Sequence, residues 1–592
     1  MTTDTILHRL HENKRIRPNA PAYYLKTGDH WVPTSWREYT DEVRQAARAL
    51  IALGVKPGGS VAILGFNRPE WVIMDLAGML VGGTATGIYT TNSPEEVKYI
   101  TAHCEAHVIL LEDESQWEKV NQIWNDIDTL KHVVMYRGVN IDDERVLSWE
   151  QFLAKGESVE DSLIDERLNS LDPNALCTLI YTSGTTGPPK GVMLSHQNLA
   201  WTAQVGLELF ELTPEDSTLS YLPLSHIAEQ VFSIHAAITA GYQVYFAESG
   251  LKVADNIREI QPSIVFGVPR VWERFHAGVL AKMQESTGAK AKIAAWAQTV
   301  GREVSALKNR GEEPSGLLAL KYNIANKLVF SKVKPALGLG NARHMVSGAA
   351  PIAKEILEFF SGLDLIIYEI YGQSEDCGPT TINRPGATKF GTVGQPWPGT
   401  EVKIADDGEI LVKGPNVFMG YYKDEAATKD TLIDDWLYSG DLGQFDQDGF
   451  LTITGRKKEI IITSGGKNIA PKNIEAALKN LDLVSEAVVI GEQRRYLTAL
   501  LTLEEGAVAK FAEEHGLDVA TLHENPAVRV HLQKEIDEKV NVHFARVEHV
   551  RGFTILPRQF TVEDGELTPT LKIKRRIIDQ NFKGHIESMY TE

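Results

Sequence analysis

A glycine-rich segment in the first half of the chain has the residue types of a phosphate-binding loop. It lies between two apolar runs, 176–180 and 192–194, which read as strands. Glycines let consecutive backbone N–H groups turn toward an anion, and Ser or Thr hydroxyls add donors. No Walker A pattern fits, and a strand rather than a helix is expected to follow. The alternative is an ordinary Gly-Thr-rich hairpin. The candidate phosphate-binding residues are Thr182, Ser183, Gly184, Thr185, Thr186, Gly187 and Lys190.

The eleven residues at 181–191, Tyr-Thr-Ser-Gly-Thr-Thr-Gly-Pro-Pro-Lys-Gly, closely resemble the signature loop of the adenylate-forming superfamily. That superfamily contains acyl-CoA synthetases, coumarate ligases, peptide-synthetase adenylation domains and beetle luciferases. The resemblance implies that the loop holds the β- and γ-phosphates of ATP. It also predicts further motifs in a fixed order, which a chance match to one loop would not bring.

Two later segments resemble the adenine side of such a site. Ser-Gly-Ala-Ala-Pro at 347–351 supplies small residues that let the base lie against the backbone. Tyr-Glu-Ile-Tyr-Gly-Gln-Ser-Glu at 368–375 resembles the next motif, which implies adenine stacking on Tyr371 and a phosphate contact from Ser374. The nucleotide-binding residues that this resemblance adds are Gly348, Ala349, Tyr371, Gly372 and Ser374.

Glu375 ends the second of these motifs and, by resemblance, is a catalytic residue that binds magnesium. Magnesium prefers hard oxygen ligands and usually takes one or two protein carboxylates, with phosphate oxygens and water completing its shell. An isolated glutamate is most often a solvated surface residue, so the assignment depends on the motif. The predicted cofactor is Mg²⁺, with ATP and CoA as co-substrates.

The last third of the chain carries the remaining motifs. Trp-Leu-Tyr-Ser-Gly-Asp-Leu-Gly at 436–443 resembles the motif whose aspartate holds the ribose hydroxyls, which implies that role for Asp441. Gly-Arg-Lys-Lys-Glu at 455–459 resembles the junction between a large and a small domain. By resemblance Arg456 reaches the nucleotide, Lys458 is the hinge, and the nearby CoA-side loop contains Ser464, Gly465 and Gly466.

Lys572 falls on the catalytic-lysine position of a segment, 566–576, that resembles the small domain's catalytic loop. The alternative is a solvated face, because Lys and Arg clusters on short turns are usually that. Many superfamily members have Gly before this lysine, whereas this chain has Leu571, which puts the loop's conformation in question.

Two segments, 221–230 and 266–275, resemble their counterparts in long-chain and very-long-chain fatty acid–CoA ligases, including the bubblegum-type group. The resemblance covers about 36–576 of the chain. It implies that His226 is a catalytic residue near the carboxylate and the acyl pocket; the alternative is a hydrogen-bonded core histidine. An apolar stripe at helical spacing follows, and such a stripe is more often core than the lining of an acyl tunnel. Its members are Ile227, Val231, Ile234 and Ile238.

Helix and strand patterns alternate through the segments that must position these motifs, which predicts an α/β fold with a mostly parallel sheet. The predicted helices include 36–54, 70–81 and 94–103, and the predicted strands 61–64, 84–89 and 108–111. Residues 278–337 instead predict a helical excursion. Beyond 455, an extended 459–462, a helix at 528–543 and further short elements predict an α+β unit. We therefore expect a large N-terminal domain of stacked α/β subdomains, 1–455, and a small mobile C-terminal domain, 456–592.

Composition limits the function classes. The formal net charge of −19 argues against a general nucleic-acid binder, which needs a basic face. Three scattered cysteines favour a reducing, cytoplasmic location over a disulfide framework or a zinc site. The N-terminal residues lack a secretory pattern, and the most apolar stretches are shorter than the ~20 residues that cross a bilayer. Peripheral membrane contact, oligomeric state and acyl chain length stay open.

The sequence therefore predicts a long-chain fatty acid–CoA ligase that forms an acyl-adenylate from ATP and then transfers the acyl group to CoA. Several alternatives remain. They are an acyl-AMP ligase that loads a carrier-protein phosphopantetheine, a ligase of a medium-chain or aromatic acid, a luciferase-like enzyme that uses oxygen on the adenylate, and a non-catalytic binding protein.

Overall fold

A computed structural model describes residues 4–182, 188–568 and 572–590 of the chain. They divide into two compact units, and the predicted α/β class is confirmed. The first unit takes its residues from Met1–Ala349, Ile356–Val402 and Leu411–Tyr438. The second takes them from Ala350–Glu355, Lys403–Ile410 and Ser439–Glu592. The domain boundary expected at 455/456 stays a prediction.

An eight-stranded sheet in the first unit carries the glycine-rich segment. Its strands pair parallel except at one edge, where Lys190–Ser195 pairs antiparallel with both of its neighbours. The parallel strands are buried on both faces, and this explains their near-continuous apolar runs. In order across the sheet the strands are Gly420–Tyr421, Lys190–Ser195, Leu176–Thr182, Thr84–Ile88, Ser60–Leu64, Ala106–Leu111, His132–Met135 and Val146–Leu147.

A nine-stranded sheet in the same unit carries the two adenine-side motifs. Its six central strands are parallel, and antiparallel strands close both edges. In order the strands are Gln395–Pro396, Thr381–Ile382, Ile367–Tyr371, His344–Ser347, Ile264–Gly267, Ser217–Ser220, Gln243–Phe246, Pro21–Thr27 and His30–Ser35.

Local signals fix where many of the helices in the first unit begin. Capping boxes form at Ser35, Ser93, Ser148 and Ser195, where each side chain accepts the N–H of the residue three positions on. Proline occupies the first turn of other helices, where its missing N–H costs nothing. The helices are Ile6–Ile16, Trp36–Ala52, Pro69–Leu80, Pro94–His103, Glu114–Ile123, Trp149–Lys155, Asp161–Asn169, His196–Leu209, Ile227–Gln230, Ala236–Ala240, Val253–Ile260, Pro269–Gln284, Gly288–Lys308, Gly316–Ala325, Ser331–Ala336 and Glu425–Thr431; Lys354–Ser361 begins in the second unit's residues and ends in the first's.

The predicted helical excursion is present and spans Pro269–Gln284 to Ser331–Ala336. A small core of its own holds it together, with a π-helical turn at Asn326–Phe330. The core residues are Ala297, Val300, Val304, Ala325 and Phe330.

The second unit has its own core around a three-stranded sheet of Val484–Ile490, Leu497–Leu503 and Val550–Ile555. The extended segment expected at 459–462 is wrong at Glu459, which ends the 3-10 turn Lys457–Glu459, whereas Ile460 is extended and the strand Ile461–Ile462 follows. The helix expected at 528–543 is shorter, and π and 3-10 turns follow it to His543. The helices are Pro471–Lys479, Glu505–His515, Pro526–Glu535, Arg575–Asn581 and Lys583–Ser588, and a further strand is Asn468–Ile469. Further strands of the chain are Glu401–Ile404, Glu409–Lys413, Leu432–Ile433, Trp436–Phe445 and Leu451–Arg456.

All three cysteines are buried free thiols, as their scattered spacing predicts. Burial raises the pKa of each thiol. Within the described ranges, no helix is both long and apolar enough to span a bilayer.

Candidate active site

The glycine-rich segment joins two antiparallel strands at one side of the eight-stranded sheet. Thr182 lies opposite Lys190 in the ladder, and both are half-buried. A strand follows the segment, as expected for a loop that is not of the Walker A type. The predicted residues Ser183, Gly184, Thr185, Thr186 and Gly187 lie outside the described residues.

Lys190 and Glu375 contact the same aromatic side chain, that of Tyr421. The Tyr421 hydroxyl donates to Oε1 of Glu375 at 2.8 Å, and Nζ of Lys190 lies 4.8 Å from the centroid of the Tyr421 ring. The backbone supports this arrangement, because Tyr421 pairs with Val192 on the strand that follows the loop. The structure thus brings a predicted phosphate ligand and the predicted metal ligand to one place.

Sequence reasoning missed Tyr421. It lies 46 residues beyond Glu375. No local spacing therefore links the two side chains, and a backbone hydrogen bond from the Phe418 N–H to the Glu375 carbonyl at 2.8 Å brings their segments together.

The surroundings of Glu375 suit a magnesium ion that arrives with a nucleotide. Among the described residues, no group of three or more His, Cys, Asp or Glu side chains could enclose a metal ion. Magnesium keeps much of its shell as water and phosphate oxygen and often needs only one or two carboxylates from the protein. The half-buried Glu375 carboxylate can supply one ligand of that kind.

The two adenine-side motifs follow neighbouring parallel strands. Ser347 pairs with Glu369, so the carboxyl ends of both strands meet at one edge of the nine-stranded sheet. Ligands of open α/β sheets bind at such edges. Tyr371 ends one strand and is half-buried, and Ser374 begins a buried 3-10 turn directly after it.

Small residues are required at this edge. A Cβ at Gly372 would lie 1.6 Å from the carbonyl oxygen of Gly378, and one at Gly348 would lie 2.5 Å from Cγ2 of Ile370. Ala349 has a φ of 67°, the left-handed region that side chains rarely adopt. The spacing of small residues seen in the sequence therefore reflects close backbone approach.

A cavity opens next to this edge and is lined almost entirely by apolar side chains. It encloses about 890 Å³ of empty space, part of which is open to solvent. His226, Ala349 and Gly372 all line it, so the structure brings the predicted acyl-side histidine and two predicted nucleotide residues to one cavity. Its apolar walls include Phe210, Val231, Phe266, Ile370 and Trp397.

His226 is half-buried and caps the short helix Ile227–Gln230. Its Nδ1 accepts the backbone N–H of Ala228 at 3.2 Å, so the neutral ring carries its proton on Nε2, which is then a donor. The nearby His235 differs from His226 in being fully buried, and burial lowers the pKa of His235 to about 3. The catalytic role of His226 stays a prediction.

The apolar stripe after His226 is not one continuous face. Ile227 and Val231 line the cavity, whereas Ile234 and Ile238 are buried elsewhere. The π-helical turn Val231–His235 contains Val231 and Ile234, and its extra residue shifts the residues after it away from regular α-helical spacing.

A buried glutamate ties the His226 segment to both large sheets, and sequence reasoning gave it no role. Oε1 of Glu229 accepts from the Ser220 hydroxyl at 2.7 Å, the Ser233 hydroxyl at 2.6 Å and the Asn67 amide at 3.3 Å. Asn67 follows a strand of one sheet, and Ser220 belongs to a strand of the other. Burial raises the pKa of Glu229 to about 8. In the sequence, Glu229 could have been noticed as a carboxylate among apolar residues.

Asp441 and Arg456 face each other in the second unit. They are opposite residues on antiparallel strands, and Nε of Arg456 lies 3.5 Å from Oδ1 of Asp441. The backbone N–H of Asp441 donates to the Ser439 hydroxyl at 3.1 Å. Two predicted nucleotide contacts are therefore adjacent.

The predicted hinge and CoA-side loop lie on exposed turns of the second unit. Lys457 is anchored by Asp407 at 2.6 Å and Glu409 at 2.8 Å, while exposed Lys458 forms no salt bridge to a described residue. The exposed loop residues are Ser464, Gly465 and Gly466. The loop is a hairpin turn, and its Gly466 has a φ of 71°.

Lys572 is exposed at the base of a hairpin in the second unit. Thr568 and Lys572 hold this base together: the Thr568 N–H donates to the Lys572 carbonyl at 2.7 Å, and the Lys572 N–H donates to the Thr568 hydroxyl at 3.0 Å. Leu571 lies outside the described residues, so its effect on the loop is not tested.

Comparisons with known proteins match most of the chain. The profile described as "AMP-binding enzyme" matches residues 10–422, and that described as "AMP-binding enzyme C-terminal domain" matches residues 458–592. The chain is 39% identical over 602 residues to the long-chain-fatty-acid–CoA ligase ACSBG2 of Xenopus laevis, covering 96% of this chain and 81% of that protein. It is 38% identical over 604 residues to human ACSBG1, another long-chain-fatty-acid–CoA ligase, covering 96% and 83%.

Solved structures share the fold at lower identity. The adenylation domain of a carboxylate reductase from Mycobacterium chelonae superimposes with a TM-score of 0.75 at 21% identity, covering 100% of this chain and 92% of that one. An anthranilate CoA ligase in complex with anthranoyl-AMP gives a TM-score of 0.72 at 20% identity, covering 99% of both chains.

Proposed function

Because the chain belongs to the AMP-binding enzyme family, we propose that it is a long-chain fatty acid–CoA ligase. That membership confirms the resemblance drawn from the motifs. The observation that carries the substrate class is the apolar cavity, whose lining includes His226, Ala349 and Gly372. Such a cavity suits a hydrocarbon chain beside a site for a nucleotide. The identity to long-chain ligases supports the same substrate class.

In the first half-reaction the acid carboxylate attacks the α-phosphorus of ATP, and pyrophosphate leaves. This step converts a poor electrophile into a mixed anhydride, and catalysis depends on positioning and on neutralising phosphate charge. We assign the loop from Thr182 to Lys190 to the β- and γ-phosphates. Glu375 would hold magnesium, which supplies positive charge at the phosphates. Lys572 would contact the α-phosphate and carboxylate oxygens.

His226 lines the cavity and would donate a hydrogen bond to the acid carboxylate. Its Nδ1 accepts the Ala228 N–H, so the neutral ring carries its N–H donor on Nε2. Glu229 fixes the helix turn that follows and therefore acts as a positioning residue.

In the second half-reaction the CoA thiol attacks the adenylate carbonyl, and AMP leaves. We propose that the second unit turns about Lys458 between the half-reactions, which withdraws Lys572 and brings the loop of Ser464, Gly465 and Gly466 toward the pantetheine. The exposed turn at Lys458 supports a hinge there. We also propose a cytoplasmic location, which the buried free thiols support.

The test is pyrophosphate release from ATP and Mg²⁺ across straight-chain acids of graded length and aromatic acids, each with and without CoA. Thioester formation that peaks with long-chain acids is the expected result. Pyrophosphate release without thioester would favour a carrier-protein acceptor. A peak with aromatic or medium-chain acids would overturn the substrate class, and absence of pyrophosphate with every acid would leave a binding protein.

A further inference from the structure

One helix of the excursion exposes a row of large apolar side chains. Leu317, Leu320, Ile324 and Leu328 are 68, 56, 44 and 44% exposed. Their spacing of three, four and four residues places them along one side of the helix Gly316–Ala325 and the π-helical turn that follows. We call these four residues the exposed stripe.

The opposite side of the same helix is already buried. Leu318, Tyr322 and Ala325 pack into the excursion's core with residues of the helix Gly288–Lys308. The helix is therefore apolar on two sides, and the first unit covers only one of them. An apolar helix face left in water is typical of a surface that binds something.

The charge around the stripe is opposite to that of the protein. Residues 316–337 contain four lysines and neither Asp nor Glu, and the excursion from 269 to 337 contains twelve Lys or Arg against five Asp or Glu. The whole chain carries −19. Lys327 and Lys332 are exposed next to the stripe, and neither forms a salt bridge to a described residue.

We propose that the exposed stripe and its flanking lysines dock on an anionic lipid bilayer. Apolar side chains on such a helix enter the acyl boundary of the bilayer while lysines meet the anionic headgroups. A second copy of this chain fits less well, because a symmetric contact would bring lysines against lysines.

This inference goes beyond the proposed function and stands without it. If the proposed function is right, docking has a consequence for substrate supply, because long-chain acids partition into bilayers. The first helix of the excursion directly follows the strand Ile264–Gly267, and Ile264 and Phe266 line the cavity. The docking surface and the cavity wall therefore belong to one unit, and the helices Pro269–Gln284 and Gly288–Lys308 lie between them in the chain.

The test is flotation of the full-length protein with vesicles of phosphatidylcholine alone or mixed with phosphatidylglycerol, at low and high salt. We expect binding to the mixed vesicles that weakens with salt. Lys327→Glu/Lys332→Glu should weaken it by at least about 30-fold, since each lysine near an anionic surface contributes roughly fivefold. Leu317→Glu/Leu320→Glu should weaken it by at least about tenfold.

The matched control is Val519→Glu/Val530→Glu in the second unit, which adds the same charge at two exposed apolar positions, 53 and 70% exposed. It should bind within about twofold of the unaltered protein, because its added charge lies off the stripe. Equal loss in this control, or no vesicle binding by the unaltered protein, would overturn the proposal. Self-association that the stripe variants abolish, without vesicle binding, would replace the bilayer by a second copy. Flotation involves no reaction, so its failure leaves the proposed activity untouched, and equal turnover of a water-soluble short acid shows that the variants fold.

Discussion

Replacing Tyr421 by Phe should slow adenylation, because it removes the hydroxyl that holds Glu375 and keeps the ring that Lys190 contacts. Hydrogen bonds to charged groups contribute about 1.5–3 kcal/mol. Glu375 is only half-buried and can exchange the lost donor for water, so we take the lower value. About 1.5 kcal/mol corresponds to a fall of roughly tenfold in kcat/KM for MgATP.

The assay is pyrophosphate release at varied MgATP and varied free Mg²⁺, with thioester formation from supplied acyl-adenylate measured separately. We expect the Tyr421→Phe variant to need more Mg²⁺ and to keep the second half-reaction within about twofold, because Glu375 serves the nucleotide's metal ion. Tyr422→Phe is the matched control. Tyr422 packs against His103 with ring centroids 5.6 Å apart and is the next residue in the chain.

Two results would refute this reasoning. An unchanged kcat/KM for MgATP in the Tyr421→Phe variant would show that the hydrogen bond does not position Glu375 for catalysis. An equal fall in both half-reactions, or in the Tyr422→Phe control, would indicate a general loss of structure in place of a defect at the metal ligand.

Three further predictions test the hinge, the cavity and a buried carboxyl. Lys572→Ala should suppress pyrophosphate release and spare thioester formation from supplied acyl-adenylate, and Lys458→Pro should do the reverse; equal loss of both half-reactions in both variants would contradict a two-state cycle. Gly206→Leu should shorten the preferred acid, because Gly206 lines the cavity and a Cβ there would already lie 3.8 Å from the Trp397 ring. Each methylene that the cavity no longer holds costs about 0.8 kcal/mol, roughly fourfold in kcat/KM. An unchanged chain-length profile would place the acyl chain elsewhere. Burial raises the pKa of Asp75 to about 8, so the unfolded carboxyl ionises first and the free energy of unfolding should fall between about pH 4 and pH 8. Asp75→Asn should reduce that fall by up to about 5 kcal/mol, as measured by urea titrations at a series of pH values. An equal fall of the free energy of unfolding with pH in both proteins would show that Asp75 is not the cause.

Elements with strong local signals were predictable from the sequence. The helix expected at 94–103 is Pro94–His103, where a capping box at Ser93 and a proline in the first turn both mark the start. The extended segment expected at 459–462 was wrong at Glu459, which lies in a 3-10 turn with Lys457, and Lys457 forms salt bridges with Asp407 and Glu409. Those partners lie about 50 residues earlier, beyond the reach of periodicity.

The same distinction applies to the site. Motif residues such as Gly372 were found because close backbone approach leaves a mark in the residue type itself. Tyr421 and Glu229 were missed because their partners come from distant strands, and nothing in their own spacing records those partners. Fold class and motif residues could therefore be predicted, whereas the side chains that support them required the structure.

The π-helical turn at Val231–His235 also bears on how this protein could change. A deletion of one residue there would restore α-helical winding and leave the side chains before and after the turn close to their present places, because the turn already holds one residue more than an α-helical turn. Ile227 on the cavity side and the buried Ile238 would both keep their surroundings. A one-residue change of length is therefore cheap at this place, whereas the same change within a regular α-helix would rotate every side chain after it by about 100°.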